Sequence, residues 1–237
     1  MRSAFRFIPV LLVFAAVPCS AQSSGDATAY AVLIATPQGA LPPILSFPML
    51  YRTQSAPLIG VRYGNISFNG VSSNTFAGDV SFAAGARTTI GVTAGYQTYT
   101  CDGCDGHFMA SGRAEGRLTS TTLGTGADAS LLTVGLNGEM GFAKPKGSTG
   151  LSITAGLPIA LVAGGPTVKV APFLTPGLGW GRATNGNTSD SGTRFMLGGG
   201  IALHNTRNSL GANFGFQKVF IDNGETMFGV NVTFALE

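Results

Sequence analysis

The loop Cys101-Asp102-Gly103-Cys104-Asp105-Gly106-His107 is the only local cluster with ready chemistry in this chain of 237 residues. Two thiolates and the His107 imidazole, with Asp105 or water as fourth ligand, would suit a tetrahedral zinc ion. In an oxidising compartment Cys101 and Cys104 would instead form a disulfide that ties a tight hairpin. The disulfide is the expectation, with no metal and no cofactor. A redox-active pair is disfavoured, because such reactivity draws on a helix N-terminus and this loop joins two strands.

A second group is charged. Arg113, Glu115 and Arg117 alternate along one segment and share one face of a strand, while Asn137 and Glu139 share a face of the next. Antiparallel pairing brings the two sets together, with Lys169 as a further member. Such a group would be a charged constriction on a solute path or a salt-bridged filling of a narrow interior; the filling is the expectation. For enzyme chemistry there is little to work with. His107 and His204 are the only histidines, and neither sits in a pattern for a serine, carboxylate or metal mechanism, so no catalytic residue is expected. Gly198, Gly199 and Gly200 mark a bend or a crowded interior, since no helix follows them to make a phosphate loop.

The elements that position these groups read as strands. From Phe228 to Leu236, Phe228, Val230, Val232, Phe234 and Leu236 alternate with Gly229, Asn231, Thr233 and Ala235, a two-residue period that puts one set on each face. About nine to eleven such residues, tilted, cross a membrane. Ten period-two runs follow one another, at roughly 58–68, 76–85, 88–99, 107–118, 130–142, 150–162, 167–181, 193–204, 209–220 and 227–236. Turn pairs such as Asn69-Gly70, Asn185-Gly186 and Asn223-Gly224 separate them, and antiparallel neighbours are expected. The clearest apolar stripes are Ile90, Val92, Ala94 and Tyr96; Leu132, Val134, Leu136, Met140 and Phe142; and Leu151, Ile153, Leu157, Ile159 and Leu161. A water-soluble barrel would turn such stripes inward and carry charge outside. Here the opposite face is Gly, Ser, Thr and Asn with few charges, which fits a lumen.

The N-terminus reads as an address. Arg2 and Arg6 precede an apolar run from Phe7 to Val17 and the small residues Cys19, Ser20 and Ala21, the pattern of a secretory signal peptide cleaved before Gln22. Of the 14 basic residues, Arg2 and Arg6 leave with residues 1–21, so 12 remain against 11 acidic ones, and nucleic acid is not an expected partner. Low charge and 35 glycines, about twice the usual share, fit a chain whose lipid face excludes charge and whose many turns use glycine. Residues 22–56 form an N-terminal segment, a lid or additional strands at Ala29–Ala35 and Ile44–Arg52, although Pro42, Pro43 and Pro48 oppose regular central strands. Residues 57–237 are expected to be an all-β, antiparallel transmembrane β-barrel of about ten strands, within a range of eight to twelve.

Counting back from a C-terminus inside the periplasm puts the Cys101–Cys104 loop and the polar stretch Ala183–Gly192 outside, and the short links at 85–87 and 164–166 inside. Phe108, Phe142, Trp180, Phe195, Phe220 and Phe228 then gather at the external end as an aromatic girdle. Thr119–Ser130 is long for an internal turn, and Lys218 falls on the lipid stripe, where a long side chain can snorkel. The leader, the repeated amphipathic strands and the closing segment Gly229-Val230-Asn231-Val232-Thr233-Phe234 together resemble the bacterial outer-membrane β-barrel proteins over about residues 57–236. The resemblance implies an even-stranded barrel in the bacterial outer membrane, with the outer-membrane assembly machinery and outer-membrane lipid as partners. The expected role is structural or surface-interacting and non-enzymatic, without an identified ligand. A passive channel for small solutes is the alternative, and a barrel enzyme acting on lipid or peptide stands behind both.

Overall fold

The computed structural model describes residues 56–68, 71–100, 104–125, 129–208, 210–220 and 226–235. The leader, most of the 22–56 segment and Cys101 lie outside these residues. Every regular element among them is a strand: β1 (Leu58–Phe68), β2 (Val71–Gly85), β3 (Thr88–Tyr99), β4 (His107–Leu123), β5 (Ser130–Ala143), β6 (Ser148–Gly156), β7 (Ile159–Val162), β8 (Val168–Asn185), β9 (Thr188–Asn205), β10 (Leu210–Val219) and β11 (Thr226–Ala235).

β6 and β7 are two halves of one stave. Pro158 between them has no N–H to give to a ladder, yet the neighbours keep the register. Gly135 N donates to Pro158 O at 2.8 Å and Leu157 N donates to Pro176 O at 2.9 Å. Both halves lie between β5 and β8, so eleven segments make ten staves. Each stave pairs antiparallel with its neighbours in the chain, and β1 pairs with β11 from Leu58↔Ala235 to Asn65↔Phe228. That last pairing closes the sheet, which leaves the barrel without an edge strand.

Closure extends two elements beyond their apolar stripes. The stretch after Leu118 continues β4 to Leu123, paired back on Ser130 of β5 after a register shift between Arg117 and Thr119, so the long turn expected there shortens. The polar stretch Ala183–Gly192, expected as a loop, is instead the tip of the β8–β9 hairpin, paired to Asn185↔Thr188. Gly186, at φ +56°, supplies the left-handed residue that so tight a turn requires. Hydroxyl-rich residues carry no apolar period, so only the neighbouring strand reveals their extended state.

Alternation sorts the side chains. The largest completely buried ones include Gln97, Gln217, Asn213 and Thr133, whereas Phe108 is 76 % exposed, Phe214 61 % and Val92 59 %. A water-soluble protein has the reverse distribution. Lys218 is on the exposed side of β10 one residue from its end, where its ammonium can reach the interface.

Candidate functional site

The interior is where this chain concentrates its charge. Arg62 on β1, Asp79 on β2, and Arg113 and Glu115 on β4 all point inward at the alternating positions of their strands. Arg62 Nε meets Asp79 Oδ1 at 2.8 Å, and Arg113 Nη2 meets Asp79 Oδ2, also at 2.8 Å. Arg113 Nε lies 3.1 Å from Glu115 Oε1, and its Nη1 reaches Thr93 Oγ1 at 3.5 Å. The four charged side chains are 1–8 % exposed. Glu139 on β5, directly opposite Arg113 in the register, accepts a hydrogen bond from Ser111 Oγ and lies within electrostatic reach of Arg62. Two guanidinium groups and three carboxylates are thus packed together. At this depth each ion loses several kcal/mol of hydration, about enough to forbid any one of them alone, so the cluster holds only as a connected unit.

The walls are unequal. The charges spring from β1, β2, β4 and β5, while the inward positions of β8–β11 include Gly177, Gly179, Gly198, Gly200, Gly215 and Gly229. Glycine there leaves room for long side chains reaching across. Towards the end of the barrel where β1 begins and β11 ends, Ala160, Val162, Ala171, Phe173 and Ala202 form an apolar cluster with Leu131 against it. A Cβ on Gly200 would lie 3.0 Å from Phe173 Cζ, so Phe173 occupies lumen space that Gly200 vacates.

Of the charged residues expected from sequence, the structure brings Arg113 and Glu115 into contact and sets Glu139 beside them. Arg117 lies at the register shift of β4, and Lys169 is near the end of its strand, where Nζ donates to Gly164 O at 3.0 Å. Sequence reasoning did not single out Arg62 and Asp79, the two residues that complete the cluster. A signal was present: each is the lone charge of its strand, and a lone charge on a spanning strand belongs in the lumen.

The cysteine loop is separated from this cluster. His107 is buried and stacks on Tyr99, with ring centroids 5.9 Å apart, whereas Asp105 is exposed and holds Lys146 Nζ at 2.8 Å. The hydrogen bond and charge of Asp105 raise the Lys146 pKa above its usual value. Imidazole and carboxylate therefore diverge, and no group of three potential metal ligands occurs among the described residues. The pairing expected of Cys104 involves Cys101 and so falls outside them. Phe108, Phe142, Phe195, Phe220 and Phe228 are exposed on the outer wall, and Trp180 is half-buried there. Tyr63, Phe76 and Tyr96 join them, with Tyr96–Phe108 centroids at 4.9 Å and Phe195–Phe220 at 5.2 Å.

An apolar belt outside, a hydrogen-bonded sheet without edges and a polar interior are the conditions for backbone to sit in hydrocarbon. The chain is a membrane β-barrel protein with a closed fold of ten strands, the number read from its period-two runs and even, as its resemblance to bacterial outer-membrane barrels implied. No protein-family model matches it, and no curated protein matches it in sequence. Among solved structures it is similar to the N-terminal β-barrel domain of Pseudomonas aeruginosa OprF, at 15 % identity and a TM-score of 0.38, covering 77 % of this chain and 98 % of that one. It is also similar to the translocator domain of the autotransporter NalP from Neisseria meningitidis (16 %, 0.35, covering 79 % and 91 %). A third is the transport unit of the autotransporter AIDA-I from Escherichia coli (10 %, 0.34, covering 92 % and 100 %). At such scores the fold is read from the strand pairing itself.

Proposed function

We propose that this chain is a bacterial outer-membrane protein whose barrel is closed by its own side chains, and that it serves a structural or surface-interacting, non-enzymatic role. The observation that carries this reading is Asp79, held between Arg62 and Arg113 at 2.8 Å each in the lumen. A pore open to solutes would leave its wall charges hydrated, whereas these are paired among themselves. The apolar cluster around Phe173 adds a second obstruction nearer the rim where β1 begins and β11 ends. Export through a cleaved leader, insertion by the outer-membrane assembly machinery and contact with outer-membrane lipid belong to the same reading.

The channel alternative draws on the glycine-lined wall and on inward polar residues such as Asn213 and Asn231, which offer a hydrophilic path beside the cluster. Planar-bilayer recording separates the two. The closed barrel should give small or rare conductance steps, and Arg113→Ala should enlarge or destabilise them by removing a blocking side chain, leaving Asp79 with Arg62 alone and Glu115 without its ion pair. Large, stable steps in the unaltered protein would put the channel first.

A further inference from the structure

The outer wall is not smooth. Five adjacent staves, β2 to β6, carry an open groove of about 540 Å³, a volume in the range of sites for drug-sized molecules. Its floor is one rung of small outward residues, Gly78↔Ala94↔Ala110. The rung continues as Phe142↔Leu151 and reaches Arg182 on β8. On the hairpin side the floor is bounded by Phe76, Tyr96 and Phe108. On the other side it is bounded by Val80, Val92 and Met140.

The charge at the rim selects the occupant. Lys144 follows on the hairpin side of Phe142, with its backbone N donating to Phe108 O at 3.3 Å, and both Lys144 and Arg182 are exposed. Arg182 makes one long bond, 3.3 Å to Ser189 Oγ. Of the nearby carboxylates, Asp105 is taken by Lys146, and Asp190 faces Ala183, one step out of phase with Arg182. The apolar floor thus lies one rung in from the aromatic rung. Lys144 stands beside Phe108 on that aromatic rung and Arg182 is three residues from the tip of β8, so both long side chains can reach the head groups, where basic clusters attract anionic lipids. A second copy docking here about a two-fold axis would set Lys144 and Arg182 against their own likeness.

We propose that the groove binds an acyl chain of an anionic phospholipid, whose phosphate is held by Lys144 and Arg182. The proposal rests on the membrane-barrel reading and gives that wall a preferred lipid.

Fluorescence quenching in vesicles tests it. With the single tryptophan removed by Trp180→Phe, Tyr96→Trp reports from the groove, and Phe214→Trp on β10 reports from elsewhere on the outer wall. Full-length protein is placed in mixed phosphatidylcholine and phosphatidylglycerol vesicles in which one lipid or the other carries brominated chains. Quenching at position 96 should show a preference for phosphatidylglycerol of about five- to thirtyfold, the effect of one to two cations near a surface, with no preference at position 214. Lys144→Ala with Arg182→Ala should abolish it. Ala110→Phe, or Ala94→Leu if that variant does not fold, should weaken quenching at position 96 by both lipids.

The proposal is overturned by equal preference at the two positions, by a preference that survives the double alanine variant, or by protection of position 96 from both lipids, which would mean that a second copy covers the groove. Gel mobility without boiling reports barrel folding in each sample. An unaltered protein with no folded band in any vesicle would sink the membrane-barrel reading, an outcome distinct from a folded barrel without lipid preference.

Discussion

The Asp79 carboxylate lies over the backbone of Gly60 on the neighbouring strand. The two are register partners, and a Cβ at position 60 would meet Asp79 Oδ1 well inside contact distance. Glycine at this position is what allows Asp79 to sit low enough on the wall to face two arginines at once.

Gly60→Ala should therefore push Asp79 out of line with Arg62 and Arg113 without altering any charge. Overpacking of this kind costs about 1–3 kcal/mol. Asp79→Ala, which removes the ion-pair partner of Arg62 and leaves Arg113 with Glu115 alone, should cost more, about 3–5 kcal/mol. Urea unfolding of the refolded barrel, followed by the loss of its folded band on unboiled gels, orders the two variants. A Gly60→Ala barrel as stable as the parent would show that Asp79 has room to spare.

The assignment of the two faces is tested within one strand. Val232 points outward and Asn231 inward beside Arg62, so Asn231→Asp adds a carboxylate next to a cation. Val232→Asp puts one into hydrocarbon, which offers it no hydration. Assembly, measured as the folded fraction in the outer-membrane pellet, should fall markedly for Val232→Asp and little for Asn231→Asp. Equal tolerance would mean that the faces are misassigned.

Cys101 and Cys104 are the cysteines left once residues 1–21 are removed, and export would deliver them to an oxidising compartment. Thiol labelling of the exported protein should fail until a reductant is added. Strong labelling without reductant, together with one equivalent of bound zinc, would restore the metal alternative.

Much of the barrel was legible as alternation. The runs read at 58–68 and 88–99 coincide with β1 and β3, because apolar residues recur at every second position over 59–63 and 90–96 and turn residues close the ends. The faces were legible for the same reason: a two-residue period assigns every side chain of a strand once one is assigned. Inside-out polarity followed from composition, since a face of Gly, Ser, Thr and Asn with few charges cannot be the skin of a water-soluble protein.

What a single sequence could not supply was which residues stand beside one another around the ring. Thr119–Leu123 and the tip of the β8–β9 hairpin are hydroxyl-rich and show no apolar period, so their extended state depends on the strand next to them. Asp79 is 17 residues from Arg62 and 34 from Arg113, and Arg62 and Asp79 are each the single charge of their strand. Strand pattern put Arg113 on the lumen side, but only the register and closure of the barrel put one carboxylate between two guanidinium groups. The same is true of the groove, whose floor of Gly78, Ala94 and Ala110 belongs to three strands and exists only where pairing aligns them. Periodicity is a local property of the chain and was readable from it. Juxtaposition depends on how many residues each hairpin and bulge consumes, and only the closed sheet decides that.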